Sequence, residues 1–400
     1  MNLLSGYPFW LIKDGLPYSY PRLDDTLTAD VVILGGGISG ALVAYYLVNA
    51  GINCVVIDAR TIGLGSTCAS TALLQYEIDT PLHELQHMVG LKHAVRSYEL
   101  CVEAIDTLKD ISKKLSFDQF KSKKSLYYAA LKKDISFLKN EFAIRKENGF
   151  KVDYLEAEEV SNRFGFDAPA AILSECGAEM DAYAFAHSLH QYSTRKGMKI
   201  YDRTPISHIE HSKKGVKLTS ESGYRIHAKK LVYATGYEVV DFISKRIVQL
   251  HSTYATISEQ SNMKSNFWKE DVLIWNTSDP YLYMRSTPDR RILIGGRDEK
   301  FFDPVKRDKL INAKKKLLVK DFEKIFPDIE FKSEFTWAGT FGSTKDGLPF
   351  IGTYSKLPNS YFALGFGGNG ITFSLVAAQI LTDLITGKKN SDANIFSFER

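Results

Sequence analysis

Three glycines at fixed spacing and one downstream acid are the residues of this chain best suited to bind a phosphate-containing ligand. Gly35, Gly37 and Gly40 follow a β-branched apolar run and give the pattern G-x-G-x-x-G. In that pattern the first glycine permits a sharp exit from a strand, the second admits a pyrophosphate to the backbone, and the third lets a helix pack closely. Asp58 ends the next apolar run, where a carboxylate can accept hydrogen bonds from ribose hydroxyls. The pattern therefore predicts a dinucleotide site.

The elements that must position these residues form a βαβ unit. The sequence predicts a strand over 29–34, a helix over 39–49 and a second strand that ends at Asp58. The uncharged run from Val31 to Ile57 is long enough to cross a bilayer, but its glycines oppose one continuous helix. Free N–H groups and the dipole at the start of the helix would attract phosphates. A glycine-rich turn that binds no ligand is the alternative interpretation.

Length and charge indicate a globular protein of two domains. The chain has 400 residues, more than one ordinary hydrophobic core accommodates. Its 51 basic and 47 acidic side chains give a net charge of +4, and acids lie near the basic clusters, so no nucleic-acid surface is indicated. A second uncharged run, 364–382, is also broken by glycines, so we expect no membrane span.

The cysteines favour a reduced, cytoplasmic setting without a metal centre. Cys54, Cys68, Cys101 and Cys176 are scattered, with no C-x-x-C pair and no histidine at metal-binding spacing. The first fifteen residues lack the basic start and apolar core of a secretory signal. We therefore expect neither disulfides nor a bound metal ion.

Two later segments carry further features of a ligand site. The apolar run "KLVYATG" ends in the small residues Ala234, Thr235 and Gly236, at the strand end where open α/β sheets hold ligands. Strand-rich segments dominate from about 238 to 335, which indicates a second domain. The end of the chain returns to strand, glycine loop and helix.

Four motifs in this order resemble the FAD-dependent D-amino-acid oxidase superfamily, which includes glycine oxidase, sarcosine oxidase, D-amino-acid dehydrogenase and γ-glutamylputrescine oxidase. They are "DVVILGGGISG", "LVYATGYE", "YLYMRSTPDRRILIGG" and "WAGTFGSTKDGLPFIG…YFALGFGGNGITFS". The resemblance covers nearly the whole chain. It implies a mixed α/β fold in which a Rossmann-like FAD-binding domain is interleaved with an antiparallel-sheet substrate domain. The implied segments are an N-terminal arm (1–28), FAD-binding segments 29–110, 166–237 and 336–400, and substrate-domain segments 111–165 and 238–335.

The resemblance also implies a noncovalent FAD. Sarcosine oxidase-like members attach their flavin through a cysteine that aligns with Gly339, and no cysteine of this chain lies near that position. The helix that follows the last glycine loop would direct its N-terminus at the reduced flavin's negative charge. The residues assigned to FAD are Gly35, Gly37, Ile38, Ser39 and Gly40 at the pyrophosphate, Asp58, Ala59 and Arg60 at the ribose and adenosine, Gly65, Ser66 and Thr67 along the ribityl chain and pyrophosphate, Ile206 at the adenine, Ala234, Thr235 and Gly236 beside the pyrophosphate, and Gly339, Gly367, Gly368, Asn369, Gly370, Ile371 and Thr372 at the flavin.

Two departures from the family bear on the substrate. Relatives that act on amino acids hold the substrate carboxylate with an arginine where this chain has Phe341, and sarcosine oxidase-like members use a lysine where it has Thr372. An unpaired carboxylate in a dry pocket is unfavourable, so both departures favour an amine without a free α-carboxylate. Arg285 or Arg297 could replace the missing cation, which leaves a D-amino-acid or glycine-type enzyme as the alternative. For each arginine, a surface salt bridge is an equally good interpretation.

The implied reaction is oxidation of a C–N bond, in which a neutral amine transfers hydride to flavin N5 and the imine is hydrolysed. Oxygen or a quinone would accept the electrons, and Lys264 or Lys269 could activate oxygen as a lysine does in sarcosine oxidase-like members. A flavoprotein that oxidises nothing without a partner is a third hypothesis. The side-chain candidates on strands over the flavin are His251, Tyr254, Tyr281 and Tyr283.

The spacing of the tyrosines adds one geometric expectation. Alternate residues of a strand point to opposite faces, so Tyr281 and Tyr283 must share a face, and either that face or its opposite lines the pocket. A core role with a satisfied hydroxyl is the alternative for each of these aromatic residues.

Overall fold

Two sheets carry the fold, and the chain passes between them several times. The computed structural model describes residues 1–243, 247–262 and 266–400. The strands in that part are β1 (Leu4–Gly6), β2 (Leu27–Leu34), β3 (Cys54–Ile57), β4 (Leu73–Gln75), β5 (Lys121–Tyr128), β6 (Val152–Glu156), β7 (Ala170–Glu179), β8 (Lys199–Tyr201), β9 (Ile206–Ser212), β10 (Gly215–Ser220), β11 (Arg225–Tyr233), β12 (Gln249–Ser258), β13 (Leu273–Asn276), β14 (Tyr283–Ser286), β15 (Ile292–Glu299), β16 (Ser333–Ser343), β17 (Phe350–Thr353) and β18 (Ser360–Leu364).

The helices cover the faces of both sheets. They are α1 (Phe9–Asp14), α2 (Ile38–Asn49), α3 (Ser66–Ala69), α4 (Leu82–Val89), α5 (Leu91–Lys114), α6 (Ile135–Glu147), α7 (Ala157–Phe164), α8 (Ala182–Arg195), α9 (Pro304–Ile325) and α10 (Gly370–Thr386), with short 3-10 turns at Lys132–Asp134, Gly236–Asp241 and Ser391–Phe396. α2 packs against both α8 and α10, and α9 packs on β12, β15 and β16.

The first sheet contains the glycine motif. Its order is β17-β18-β11-β2-β3-β8, and β10 and β9 extend it from β11. β18, β11, β2, β3 and β8 run parallel, which requires crossover connections such as the one through α2. β3 is buried along its whole length, as expected for a central strand covered by helices. The strand, helix and second strand predicted around the motif are all present, at Leu27–Leu34, Ile38–Asn49 and Cys54–Ile57.

The second sheet has the order β1-β16-β12-β15-β14-β13-β5-β7-β4, and β6 pairs with β7. Its pairings are antiparallel except for β13 with β5. One apolar cluster joins its strands to α9 through residues such as Tyr254, Phe322 and Ala338. A parallel sheet interleaved with an antiparallel one confirms the predicted fold class.

Three strands, β4, β7 and β16, pair in a different sheet from the one that the predicted segments imply. β4 and β7 belong to the antiparallel sheet, although their residues fall within segments 29–110 and 166–237. β16 begins at Ser333, before the predicted start of the last FAD-binding segment, and it also pairs in the antiparallel sheet. The N-terminal arm is not merely extended, because β1 pairs with β16 and the α1 residues Phe9 and Trp10 are buried. These pairings join residues far apart in the chain, so local patterns do not reveal them.

Close backbone contacts explain two glycines of the motif. Gly35 has a φ of +102°, which favours glycine, and a Cβ there would overlap the carbonyl oxygen of Ala234. A Cβ on Gly40 would overlap the carbonyl oxygen of Gly35 itself. The start of α2 therefore lies against the turn that precedes it, and the turn lies against the end of β11.

We predict that Gly40→Ala lowers the free energy of unfolding by about 2 kcal/mol or more, because the added methyl meets fixed backbone rather than a movable side chain. Less flavin should copurify with this variant. Thermal unfolding and the ratio of flavin to protein absorbance measure both effects.

The control for stability is Gly370→Ala, since a Cβ at Gly370 meets nothing within 4 Å. Gly370 lies in the first turn of α10, where alanine adopts the helical backbone, so its unfolding free energy should stay within about 1 kcal/mol of the parent value. Equal stability of the two variants would contradict the packing argument for Gly40.

Candidate active site

A cavity of about 450 Å³ lies where the two sheets meet. Its walls come from the β2–α2 turn, α3, the ends of β11 and β18, and the strands β12, β15 and β16. The volume is typical of a site for a cofactor and a small ligand. The structure thus brings together segments that are more than 300 residues apart in the chain.

Nearly all residues assigned to FAD from the sequence line this cavity. Gly40 is the exception, and its place is the helix contact described above. The lining residues from that set are Gly35, Gly37, Ile38, Ser39, Asp58, Ala59, Arg60, Gly65, Ser66, Thr67, Ile206, Ala234, Thr235, Gly236, Gly339, Gly367, Gly368, Asn369, Gly370, Ile371 and Thr372.

Two helix N-termini converge on the cavity. The first residues of α2 and of α10 line it, and neither helix has an acidic residue in its first turn. Ser39 and Ser374 join the two helices through a 2.7 Å hydrogen bond between their hydroxyls. Thr67 accepts the Ile38 N–H with its hydroxyl at 3.0 Å, which fixes α3 against the start of α2. The free N–H groups and dipoles of two helices favour a ligand with several negative charges.

Unpartnered polar atoms at this end fit a phosphate-bearing group. The hydroxyl oxygens of Ser66 and Thr235 are buried and have no hydrogen-bonding partner among the described residues. Both residues line the cavity. Because buried hydroxyls are nearly always satisfied, these two are suited to donate to an oxygen-rich ligand.

Asp58 connects the glycine turn to the next strand end. Its Oδ2 accepts the Gly36 N–H at 2.6 Å, and its Oδ1 accepts the Arg60 N–H at 2.8 Å. Burial raises the pKa of this carboxyl to about 6. The carboxylate thus shapes the turn through backbone contacts and also borders the cavity.

Arg60 is already engaged in an ion pair. Its Nη1 donates to Glu238 Oε2 at 2.9 Å, and the α-amino group of Met1 lies 2.8 Å from Glu238 Oε1. Glu238 lines the cavity but was not among the predicted site residues. Its place at the end of the motif "LVYATGYE" was the one sequence feature that could have indicated it.

Aromatic side chains form the part of the cavity made by the antiparallel sheet. Tyr281, Tyr283 and Phe341 line it. Tyr254 also borders it, but its ring packs in the apolar cluster with α9 and its hydroxyl donates to the Arg307 carbonyl at 3.4 Å. The rings of Tyr281 and Tyr283 lie 5.9 Å apart, so they share a face and that face borders the cavity.

Three other candidates do not reach the cavity. Arg285 is buried and paired with Glu179 at 3.1 Å, and its Nε donates to the Thr71 carbonyl. Arg297 donates from Nε to Asp321 of α9 at 2.6 Å. His251 lies behind Phe341, where its ring stacks at 5.1 Å and its Nε2 is 2.7 Å from the Ser343 hydroxyl. Distant partners thus hold all three side chains, which corrects their placement as site residues.

The proposed oxygen-activating lysines find no support in the described residues. Lys269 does not line the cavity, and it donates to the Asn162 carbonyl at 2.8 Å. Lys264 lies outside the described residues.

Besides Glu238, sequence reasoning missed two further carboxylates. Asp298 lines the cavity, and its Oδ1 is buried without a hydrogen-bonding partner among the described residues. Asp79 accepts the Gly368 N–H at 2.7 Å and the Tyr281 hydroxyl at 3.1 Å, so it holds the last glycine loop against a cavity tyrosine. Burial raises the pKa of both carboxyls, that of Asp298 to about 6. The only sequence feature that pointed to Asp298 as a site residue was its place at the end of the strand-like stretch "RILIGGRDE".

The cysteines are poorly placed for a covalent flavin bond. All four are free, and none is among the described residues that line the cavity. Cys68, the one nearest in sequence to lining residues, donates its thiol to the Gly65 carbonyl, and burial raises its pKa to about 12.

The described residues contain no group of His, Cys, Asp and Glu side chains that could hold a metal ion. Within those same ranges, no helix combines the length and the apolar character that a membrane crossing requires.

A parallel sheet whose glycine turn faces a cavity, closed by an antiparallel sheet, defines the class of dinucleotide-binding proteins. The chain belongs to the DAO family of FAD-dependent oxidoreductases, whose family model matches residues 30–384. This match confirms the family predicted from the motifs, the assignment as an enzyme and FAD as the cofactor.

Similar proteins agree with the family assignment. The chain is 24% identical to γ-glutamylputrescine oxidoreductase of Escherichia coli over 389 residues, 92% of this chain and 86% of that protein. It is 24% identical over 397 residues to a putative Rieske 2Fe-2S iron-sulfur protein of Bacillus subtilis, 98% of this chain and 75% of that protein. The crystal structure of glycine oxidase from Geobacillus kaustophilus superposes with a TM-score of 0.78 at 19% identity, covering 94% of this chain and 99% of that one.

We predict that Asp58→Asn weakens FAD binding roughly 10- to 100-fold, because one amide oxygen cannot replace two carboxylate oxygens facing two N–H donors. The measurement is the dissociation constant of FAD, followed by flavin fluorescence during reconstitution.

Asp30→Asn is the control, since Asp30 lies on the neighbouring strand β2 and forms only an exposed ion pair with Lys229. It should retain the parent affinity. An Asp58→Asn protein that binds FAD as tightly as this control would refute the role of the carboxylate.

Proposed function

We propose that this FAD-dependent oxidoreductase oxidises a C–N bond of a primary or secondary amine that has no free carboxylate beside the reacting carbon. The observation that carries the proposal is the charge of the cavity lining. Arg60 is the one cationic side chain among the described residues of that lining, and it is paired with Glu238. Asp298 contributes an unpartnered carboxylate oxygen instead.

A substrate carboxylate would be poorly held in such a cavity. Transfer of a carboxylate out of water is compensated only by a cation or by several hydrogen-bond donors. Phe341 occupies the position at which amino-acid-oxidising relatives are expected to have an arginine, and its ring lines the cavity. The two arginines considered as replacements are paired with Glu179 and Asp321. The D-amino-acid hypothesis therefore loses the anchors on which it depended.

The chain's own residues would bind the cofactor and shape the pocket. FAD, when bound, supplies the hydride acceptor for amine oxidation. The N-termini of α2 and α10, with the hydroxyls of Ser66 and Thr235, would hold its phosphates and balance its negative charge. Tyr281, Tyr283 and Phe341 would exclude water from the substrate and orient it, which is the main contribution that this chemistry requires.

Two further parts of the proposal concern the surroundings of the enzyme. We propose oxygen or a quinone as the electron acceptor, because flavoproteins with these motifs use either. A reduced, cytoplasmic setting is supported by four free cysteines, three of them buried. The hypothesis of a flavoprotein that cannot turn over alone is less favoured, because the family consists of oxidoreductases.

We predict that amines without a carboxylate reduce the bound flavin under anaerobic conditions, whereas glycine and D-alanine do so at least about tenfold more slowly. Loss of the visible absorbance of oxidised flavin measures the reaction. Faster reduction by the amino acids would contradict the proposal, and no reduction by any compound would favour the partner-dependent hypothesis.

We also predict that Phe341→Arg shifts the specificity toward amino acids by about tenfold or more, because it adds a bidentate partner for a carboxylate. The measurement is the ratio of kcat/KM for an amino acid to kcat/KM for the matching amine. Phe341→Leu is the control, since it opens comparable space without a charge. An equal shift in both variants would show that space rather than charge sets the preference.

A further inference from the structure

A β-bulge places Asp298 at the cavity. In the pairing of β12 with β15, Ser252 is opposite Glu299 and Tyr254 is opposite Gly296. Thr253 is therefore opposite two residues, Arg297 and Asp298. Arg297 has a φ of +58°, a left-handed conformation that is rare for a residue with a side chain. Bulges re-aim side chains and are frequent beside active sites.

The bulge separates the two charges of this pair of residues. Arg297 turns toward α9 and pairs with Asp321, whereas Asp298 lines the cavity. The Thr253 hydroxyl forms a hydrogen bond with the Asp298 carboxylate. The Oδ1 atom of Asp298 has no partner among the described residues. A buried acceptor without a partner is unfavourable, so its retention here requires an explanation.

The cations near Asp298 are engaged elsewhere. Lys314 donates to Glu299 at 2.6 Å and to the carbonyl of Arg297. Lys300 lies 3.6 Å from Asp279. In the described part of the chain, no direct ion pair therefore neutralises the charge of Asp298. The nearby carboxylate of Asp79 increases the negative potential at this place.

The surroundings of the free oxygen suit an organic cation. The rings of Tyr281 and Tyr283 line the same cavity as Asp298, and aromatic faces next to a carboxylate attract ammonium groups. Asp79 lies behind them, bonded to the Tyr281 hydroxyl. The site thus combines negative charge, aromatic surface and an unused acceptor.

The bound cation cannot be the nitrogen that is oxidised. Hydride transfer requires a neutral amine, and a carboxylate beside a nitrogen stabilises its protonated form. A carboxylate is therefore suited to a second charge on the substrate, away from the reacting carbon.

We propose that Asp298, with Tyr281 and Tyr283, binds a substrate ammonium group that is not oxidised, so that the preferred substrate carries a second positive charge, as a diamine does. This inference rests on the proposed amine oxidation and names the substrate class for the same site. Asp298 acts as a specificity-determining residue in it.

The test compares diamines with monoamines of the same length on the FAD-loaded protein. Putrescine is paired with butylamine and cadaverine with pentylamine. We expect a diamine to exceed its monoamine by about tenfold or more in kcat/KM, because its second ammonium group gains a charged hydrogen bond to the carboxylate.

Asp298→Asn should abolish most of that preference, with the loss in KM for the diamine and little change for the monoamine. Asp298→Glu keeps the charge and should retain part of the preference, which tests the charge even if the asparagine variant proves unstable. Asp279→Asn removes an exposed carboxylate near the same cavity end and should behave as the parent protein.

A pH profile adds a measurement that a purely structural role would not change. Burial raises the pKa of Asp298 to about 6, so protonation below that pH removes its charge while the substrate amines stay protonated. The ratio of the diamine KM to the monoamine KM should rise below about pH 6 in the parent protein and stay constant in Asp298→Asn, because protonation of the reacting amine affects both substrates equally. The neighbouring charged groups are Asp79, Asp279, Glu299 and Lys314. Tyr254, Tyr281 and Tyr283 stay neutral over this range, because burial raises each of their pKa values.

The outcomes separate this inference from the proposed function. Equal kcat/KM for diamines and monoamines in the parent protein would overturn the second-charge inference and leave amine oxidation standing. A diamine preference that survives in Asp298→Asn would overturn the role of Asp298. Reduction of the flavin by amino acids alone would overturn the proposed function itself.

Discussion

The contact between the start of α2 and the turn before it is the constraint on which the rest of the site depends. The backbone of Gly35 lies against Gly40 on one side and against Ala234 on the other, and no side chain larger than hydrogen fits at either glycine. This contact brings the ends of β2 and β11 together beneath the N-terminus of α2. Ser39 then reaches Ser374, which brings α10 to the same point. Two helix N-termini are therefore held on one side of the cavity by close backbone contact at the glycines and by the hydroxyl pair of Ser39 and Ser374.

The opposite side of the cavity depends on contacts between distant parts of the chain. β16 brings Gly339 and Phe341 next to β12, and β12 brings Thr253 opposite the bulge that carries Asp298. Asp79 then joins the two halves, because it accepts hydrogen bonds from Gly368 of the last glycine loop and from Tyr281 of the antiparallel sheet. Each cavity residue on this side is thus positioned by a strand pairing or a carboxylate rather than by its own sequence neighbours.

This difference explains which features the sequence could predict. The glycine turn, its helix and Asp58 follow from local backbone requirements, and the structure has them within a few residues of the predicted positions. The shared face of Tyr281 and Tyr283 followed from strand periodicity, although periodicity alone could not tell which face borders the cavity. Arg285 and Arg297 were predicted as possible anchors, but their partners, Glu179 and Asp321, come from other elements. Asp298 was missed because a bulge breaks the alternation on which strand arguments rest. β4 and β7 lie within segments predicted as FAD-binding but pair in the antiparallel sheet, because their pairings join segments far apart in sequence.

Charge is distributed along the cavity with opposite signs at its two sides. The helix N-termini of the parallel sheet favour a polyanion, and the pyrophosphate of FAD, the cofactor of the family, would place its charge there. The antiparallel sheet contributes the carboxylate of Asp298, that of Asp79 lies behind Tyr281, and the nearby cations Lys314 and Arg297 are bound to Glu299 and Asp321. An anionic substrate would lose its hydration and face like charges, whereas a cationic substrate would relieve the unpartnered oxygen of Asp298. The replacement of an expected arginine by Phe341 and the presence of a free carboxylate at Asp298 thus act in the same direction, since both lower the affinity for anions and only the second raises the affinity for cations.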